Sequence, residues 1–175
     1  MSRSKDVRWR KPVLIISGVV WIIRAGLELV FQPDYWNPQT FIDYVAVAGT
    51  SLGLFLLVLG LWGMHLGRQI KPGLSKIVWG MGVGISCVAG VAAGVANFVE
   101  DWFGVKSLGD LFVFGMMFLV LGLLLSGIST IRAKDVSRWT GWLLIACAVG
   151  FGIIDWGGGF VIGVSLILLG VVRKL

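Results

Sequence analysis

The chain has 175 residues, 57% of them hydrophobic and only 14% charged, with a mean hydropathy of +0.92. That balance argues against a water-soluble domain and for a membrane protein, because spanning a bilayer takes long apolar runs. The net charge of +6 does not signal nucleic acid, since the cations fall in an ordered pattern between apolar segments.

Arg3, Lys5, Arg8, Arg10 and Lys11 open the chain, and the first apolar segment runs from about Val13 to Phe31. A basic start before an apolar run is also the shape of a signal peptide. This run is long for one and no small-x-small cleavage site follows, so a retained anchor helix is expected. Arg24 lies eleven residues beyond Val13, about 17 Å along a helix. It is the only cation well inside a predicted span, and Glu28 follows one turn later on the same face.

The second segment, Phe41 to Gly67, starts with Thr40-Phe-Ile-Asp43. A Ser/Thr followed three residues later by an acid is a capping pattern, and the carboxylate also suits the helix dipole. The third, Ile77 to Val99, is rich in small residues and carries Gly80-xxx-Gly84 and Gly90-xxx-Gly94. Such spacing lets helices approach closely, so this helix is expected at the packed centre. Asn97 and Glu100 stand at its far end. The fourth, Leu108 to Ile131, opens with a second capping pattern, Ser107-Leu-Gly-Asp110.

The last apolar stretch, Trp139 to Val172, is broken by Asp155-Trp-Gly-Gly-Gly159. A single helix of that length would be roughly 50 Å long, against a hydrocarbon core of about 30 Å. Two short helices, Trp139 to Ile154 and Gly158 to Val172, are therefore expected, the second containing Gly159-xxx-Gly163. A re-entrant hairpin would also keep the C-terminus on the same side.

The expected fold is an all-α integral membrane protein of six spans in one domain, built as three hairpins at about 12–67, 77–131 and 139–172. Three segments support the repeat: Gly53 to Gly60, Gly115 to Gly122 and Gly163 to Gly170 are each an apolar run closed by glycines at the same spacing. Ile85 to Gly90 also aligns with Ile145 to Gly150, which places Trp79 opposite Trp139 and Cys87 opposite Cys147. In this topology thirteen of the fifteen cations fall on one side. Lys/Arg excess marks the cytoplasmic face, so both termini are expected in the cytoplasm and the protein in the plasma (inner) membrane. Tyr35, Trp36, Phe41, Tyr44, Trp102, Phe103 and Trp156 would form the outer aromatic belt, and Trp9, Trp79, Trp139 and Trp142 the inner one.

The polar residues inside the spans are the candidate site: Arg24, Glu28, Asn97, Glu100 and Asp155. An ionisable group there costs about 2.5–3.5 kcal/mol on insertion scales, which suggests function. Two readings stand side by side, a polar cavity in the outer half and a buried Arg24–Glu28 pair. Arg before Glu is the weaker order for an i,i+4 pair, which favours Asp155 or Glu100 as the partner of Arg24. Two intramembrane cysteines suit neither a disulfide nor most metal sites. No catalytic or metal-binding motif occurs, so no enzyme, metal or cofactor is expected.

The run from Gly26 to Pro33, a helix end with glycine, an apolar stretch and a loop proline, resembles the small six-span HdeD-like bacterial membrane proteins. That resemblance implies a stress-related, non-enzymatic membrane protein and transfers no functional residues. The functional expectation is thus a non-catalytic accessory protein acting through contacts with lipid, other membrane proteins or further copies of itself. The alternative is a small-solute or ion permease, or the substrate-capture subunit of a transporter, using the polar cluster.

Overall fold

A computed structural model describes residues 8–34, 38–67, 73–133, 137–154 and 157–171. Arg3, Lys5, Tyr35, Trp36, Arg68, Lys71, Lys134, Asp155, Trp156, Arg173 and Lys174 lie outside the described residues. The rest forms six α-helices: α1 (Arg10–Phe31), α2 (Phe41–Gly67), α3 (Leu74–Phe103), α4 (Gly109–Arg132), α5 (Arg138–Gly152) and α6 (Gly158–Val171). Among the described residues there is no strand.

Local chemistry sets the ends. Pro12 sits in the first turn of α1, where its missing N–H leaves no bond unmade. The helix stops at Gln32, which turns left-handed (φ 46°) and donates its N–H to Glu28 O before Pro33. α3 runs one turn past Val99 to Gly104 (φ 70°). Its last turn is held by aromatics: Phe98 stacks on Trp102 at 5.5 Å, and Trp102 meets Tyr44 of α2 edge-on at 5.4 Å.

Four helices, α1 to α4, are long and apolar enough to cross a membrane. α5 and α6 have 15 and 14 residues, about 21–23 Å of helix. Large apolar side chains are exposed around the outside, among them Ile23, Val88, Met117 and Trp139, as lipid contact requires.

Each helix packs on its neighbours in the chain, and α6 closes on α1. The result is a ring with a filled interior. Leu14 and Trp21 of α1, Leu57 and Leu61 of α2, Val83, Leu123, Leu144 and Leu166 are buried there. Trp79 joins them at 2% exposure. It belongs to the core and not to an interfacial belt, because α3 begins at Leu74 and so carries Trp79 a full turn inside.

The seams depend on missing side chains. On α3 and α4, a Cβ on Gly82 would lie 2.8 Å from Gly122 O, and one on Gly122 would lie 2.7 Å from Gly82 O. Ser86 and Ser126, one turn beyond, cover the opposite glycine. The same reciprocal clasp joins α1 to α6 through Gly18 and Gly163, with Ile22 and Ile167 as covers, and α4 to α5 through Gly127 and Gly141, with Ile131 and Ile145. Backbones this close are the usual means of helix association in lipid, where no hydrophobic force draws helices together.

Of the predicted glycine pairs, Gly90 and Gly94 face Val58 and Phe55 of α2, and Gly159 and Gly163 face Ala25 and Ile22 of α1. Gly80 and Gly84 form no seam. A Cβ on Gly84 meets nothing and one on Gly80 meets only His65 of α2, because this face of α3 is turned away from α4 and lies off the α2 seam. The first two hairpins use their repeated glycines alike: Gly53 and Gly60 pack on α1, and Gly115 and Gly122 on α3. The third differs. Gly163 and Gly170 turn to α1 and close the ring. Gly170 sits against Lys11 and Ile15, so α1 begins and α6 ends at the same, proximal end of the bundle.

Gly84→Ala should raise stability by about 0.5–1 kcal/mol, the ordinary gain of Ala over Gly in a helix. Gly122→Ala should lower it by about 1–3 kcal/mol, the cost of overpacking. Thermal unfolding of both variants in one detergent checks the opposite signs.

Candidate functional site

The distal half of the ring holds a cavity of about 1150 Å³. Arg24, Ala25 and Glu28 of α1, Thr50 of α2 and Asn97 of α3 line its polar side. Phe112, Met116 and Val120 of α4 and Phe151 of α5 form the apolar side. Gln32, Pro33 and Asp34 stand beyond the end of α1 and also line it.

Arg24 is only 4% exposed. Its Nη1 donates to Glu28 Oε2 at 3.1 Å, and its Nε donates to Thr50 Oγ1 at 2.9 Å. Thr50 in turn donates to Ala46 O at 3.1 Å, which fixes the hydroxyl lone pair toward the guanidinium. The guanidinium carbon lies 5.5 Å from the centre of the Trp21 ring, within cation–π range. Glycines make the room: a Cβ on Gly49 would touch the Arg24 stem at 3.7 Å, and one on Gly159 would lie 3.6 Å from Nη1. The helical order that is weaker in isolated peptides is therefore the one used. Thr50 and Trp21 add to that pair from α2 and from one turn back on α1; the expected partner Asp155 lies outside the described residues.

Asn97 donates both amide protons, to Val47 O at 3.2 Å and Ser51 Oγ at 3.0 Å. This ties α3 to α2 at the cavity wall. Glu100 does not line the cavity. Its carboxylate lies against Gly109 at the start of α4, 3.0 Å from where a Cβ would sit. Asp155 is outside the described residues. The predicted cluster thus divides: Arg24, Glu28 and Asn97 meet in one cavity, and Glu100 lies at the α3–α4 turn.

Sequence reasoning missed Thr50 and Ser51, although a Thr-Ser pair inside an apolar run was the available signal. It also missed the α4 wall, for which there was none. Nothing in the sequence sets Phe112, Met116 and Val120 apart from the rest of their apolar run.

The two capping patterns behave differently. Thr40 and Asp43 form the reciprocal box: Asp43 N–H donates to Thr40 Oγ1 at 3.2 Å, and Thr40 N–H to Asp43 Oδ2 at 2.7 Å. Asp43 also accepts from the N–H groups of Gln39 at 3.0 Å and Asp34 at 3.1 Å, so it clamps both sides of the α1–α2 connection beside the cavity. Ser107 and Asp110 form no such box. A 3₁₀ turn, Lys106–Leu108, winds directly into α4, whose N-cap is Leu108 with no side-chain cap bond. Asp110 stays in the first turn of α4, where its charge suits the helix dipole.

No protein-family model, curated protein or solved structure matches this chain.

Thr40→Ala should cost about 1 kcal/mol, the usual worth of an N-cap. Ser107→Ala should change stability by less than about 0.5 kcal/mol. Hydrogen exchange at the amides of Asp34 and Gln39 should quicken in Asp43→Ala and stay unchanged in Ser107→Ala.

Proposed function

We propose that this chain is a six-span protein of the plasma membrane that captures a small solute in the outer half of the bilayer, with no catalytic step of its own. Support for the orientation comes from charge. Arg8, Arg10, Lys11, Arg132 and Arg138 lie at the helix ends on the proximal side, and the positive-inside rule makes that side cytoplasmic. Both termini then face the cytoplasm, α5 and α6 complete the six spans, and the cavity faces out.

One observation carries the functional reading. The cavity is roomy at the distal end, with fixed hydrogen-bonding groups, while the proximal half of the ring is filled by Leu14, Leu57, Leu61, Trp79, Leu144 and Leu166. A site open on one side and packed shut on the other suits holding a solute, and it does not suit free conduction. An apolar pocket with a few converging polar groups is the usual form of a small-molecule site. This favours the substrate-capture form of the permease reading over an accessory protein working only through lateral contacts, which would need no such space. A stress-related role, as in HdeD-like proteins, is compatible with capture and adds no residue to it.

Native mass spectrometry of the full chain, released from its own membranes in mild detergent, should show a bound small mass. Val120→Trp, which fills the cavity without touching Arg24, should lose that mass and unfold within a few degrees of the parent. Absence of any bound mass from the parent, or its retention by Val120→Trp, would overturn capture at this site.

A further inference from the structure

Among the described residues the cavity is open at its side, and helix length sets the gap. α1 is gripped by α6 at Lys11 and Ile15, at Gly18 and Ile22, and last at Ala25, which faces Gly159. α6 begins at Gly158, so α1 continues from Gly26 to Phe31 past the end of its neighbour. α4 shows the same on the other flank. Gly127 and Ile131 meet α5 at Ile145 and Gly141, and α5 ends at Gly152. The antiparallel register brings Gly152 level with about Val120, so the turns from Leu111 to Leu119 extend beyond α5. Among the described residues, α1 and α4 are therefore separated by a notch above the short third hairpin. Leu29, Val113 and Met117 line both cavity and notch and are 66%, 47% and 63% exposed. In a bilayer this notch faces acyl chains and not water.

The polar end has a charge preference. Among the described residues, those lining the cavity carry one cation, Arg24, against two carboxylates, Glu28 and Asp34. Nη1 and Nε of Arg24 already serve Glu28 and Thr50. The polar groups around it accept as well as donate: the Glu28 and Asp34 carboxylates, the Asn97 amide and Gln32. Phe112 and Phe151 add aromatic side chains to the lining, a residue type that suits a cation. An anionic head would meet net repulsion here.

We infer that the ligand is a single-chain amphiphile with an ammonium head, which slides in from the outer leaflet through the notch between α1 and α4. Its head sits beside Glu28 and Asn97, and its chain lies along Phe112, Met116 and Met117. This rests on the capture reading and names the ligand class and its route.

Three radiolabelled probes test it against the full chain in phosphatidylcholine nanodiscs at neutral pH: dodecylamine, lauric acid and butylamine, each corrected for uptake by empty discs. Dodecylamine should bind saturably, and both lauric acid and butylamine at least tenfold more weakly. Leu29→Trp and Met117→Trp, at lipid-exposed positions that tolerate bulk, should each weaken dodecylamine binding at least tenfold. Lauric acid binding as tightly as dodecylamine would overturn the ammonium head. Butylamine binding as tightly as dodecylamine, or both Trp variants binding dodecylamine normally, would overturn the lateral route and leave capture standing. If no probe binds while the native protein still carries a small mass that Val120→Trp loses, the ligand class falls alone. If no probe binds and there is no such mass, capture itself falls.

Discussion

The ring exists because backbones can touch at Gly18 and Gly163. A Cβ on Gly163 would come within 2.7 Å of Gly18 O, and one on Gly18 would also collide with Ile167. In lipid, apolar surface alone gives helices no reason to associate, so close backbone approach has to hold them. That single seam joins the last helix to the first. Without it the third hairpin would hang from α4 alone, and the interior would lose the wall formed by Ile162, Leu166 and Leu169.

The same seam fixes where the ring is incomplete. α5 is nine residues shorter than α4, about 13 Å of helix. Closure at Gly18 sets the third hairpin low on α1, so the whole deficit falls at the distal end. The cavity is that deficit. A guanidinium at its floor needs compensation, since breaking a buried pair by removing one partner commonly costs about 3–5 kcal/mol. Glu28, Thr50 and the Trp21 ring provide it from two helices. The polar floor is also structural in this sense: it joins α1 to α2 at the level where α6 stops.

Much of this was legible in the chain. Six helices, their ends to within a few residues and the interruption between α5 and α6 follow from apolar run length and Gly/Pro punctuation. Arg24, Glu28 and Asn97 stood out because ionisable and amide groups are costly in a span. What could not be read was direction around each helix. Gly80-xxx-Gly84 and Gly82-xxx-Ser86 lie on one helix at the same spacing, and only the second faces α4. Glu100 and Asn97 are one turn apart, yet Asn97 is drawn into the cavity by Val47 and Ser51 while Glu100 lies at the α3–α4 turn. Sequence spacing gives relative angle on a helix. The absolute angle comes from which neighbours it meets.

The third hairpin shows how a sequence repeat can mislead about geometry. Gly163 to Gly170 matches Gly53 to Gly60 in length, apolar character and terminal glycines, but the earlier pair serves its own hairpin and the later pair serves ring closure. Cys87 and Cys147 align in the sequence, yet Cys87 points to α2 and Cys147 to α6. A strict threefold arrangement would give every hairpin the same two neighbours and the same height, and it would leave three equivalent notches or none. Rotating one hairpin about its axis keeps the glycines useful while changing their partner. Shortening that same hairpin opens one notch only. The asymmetry that spoils the repeat is therefore what concentrates the polar groups and the free volume in a single place.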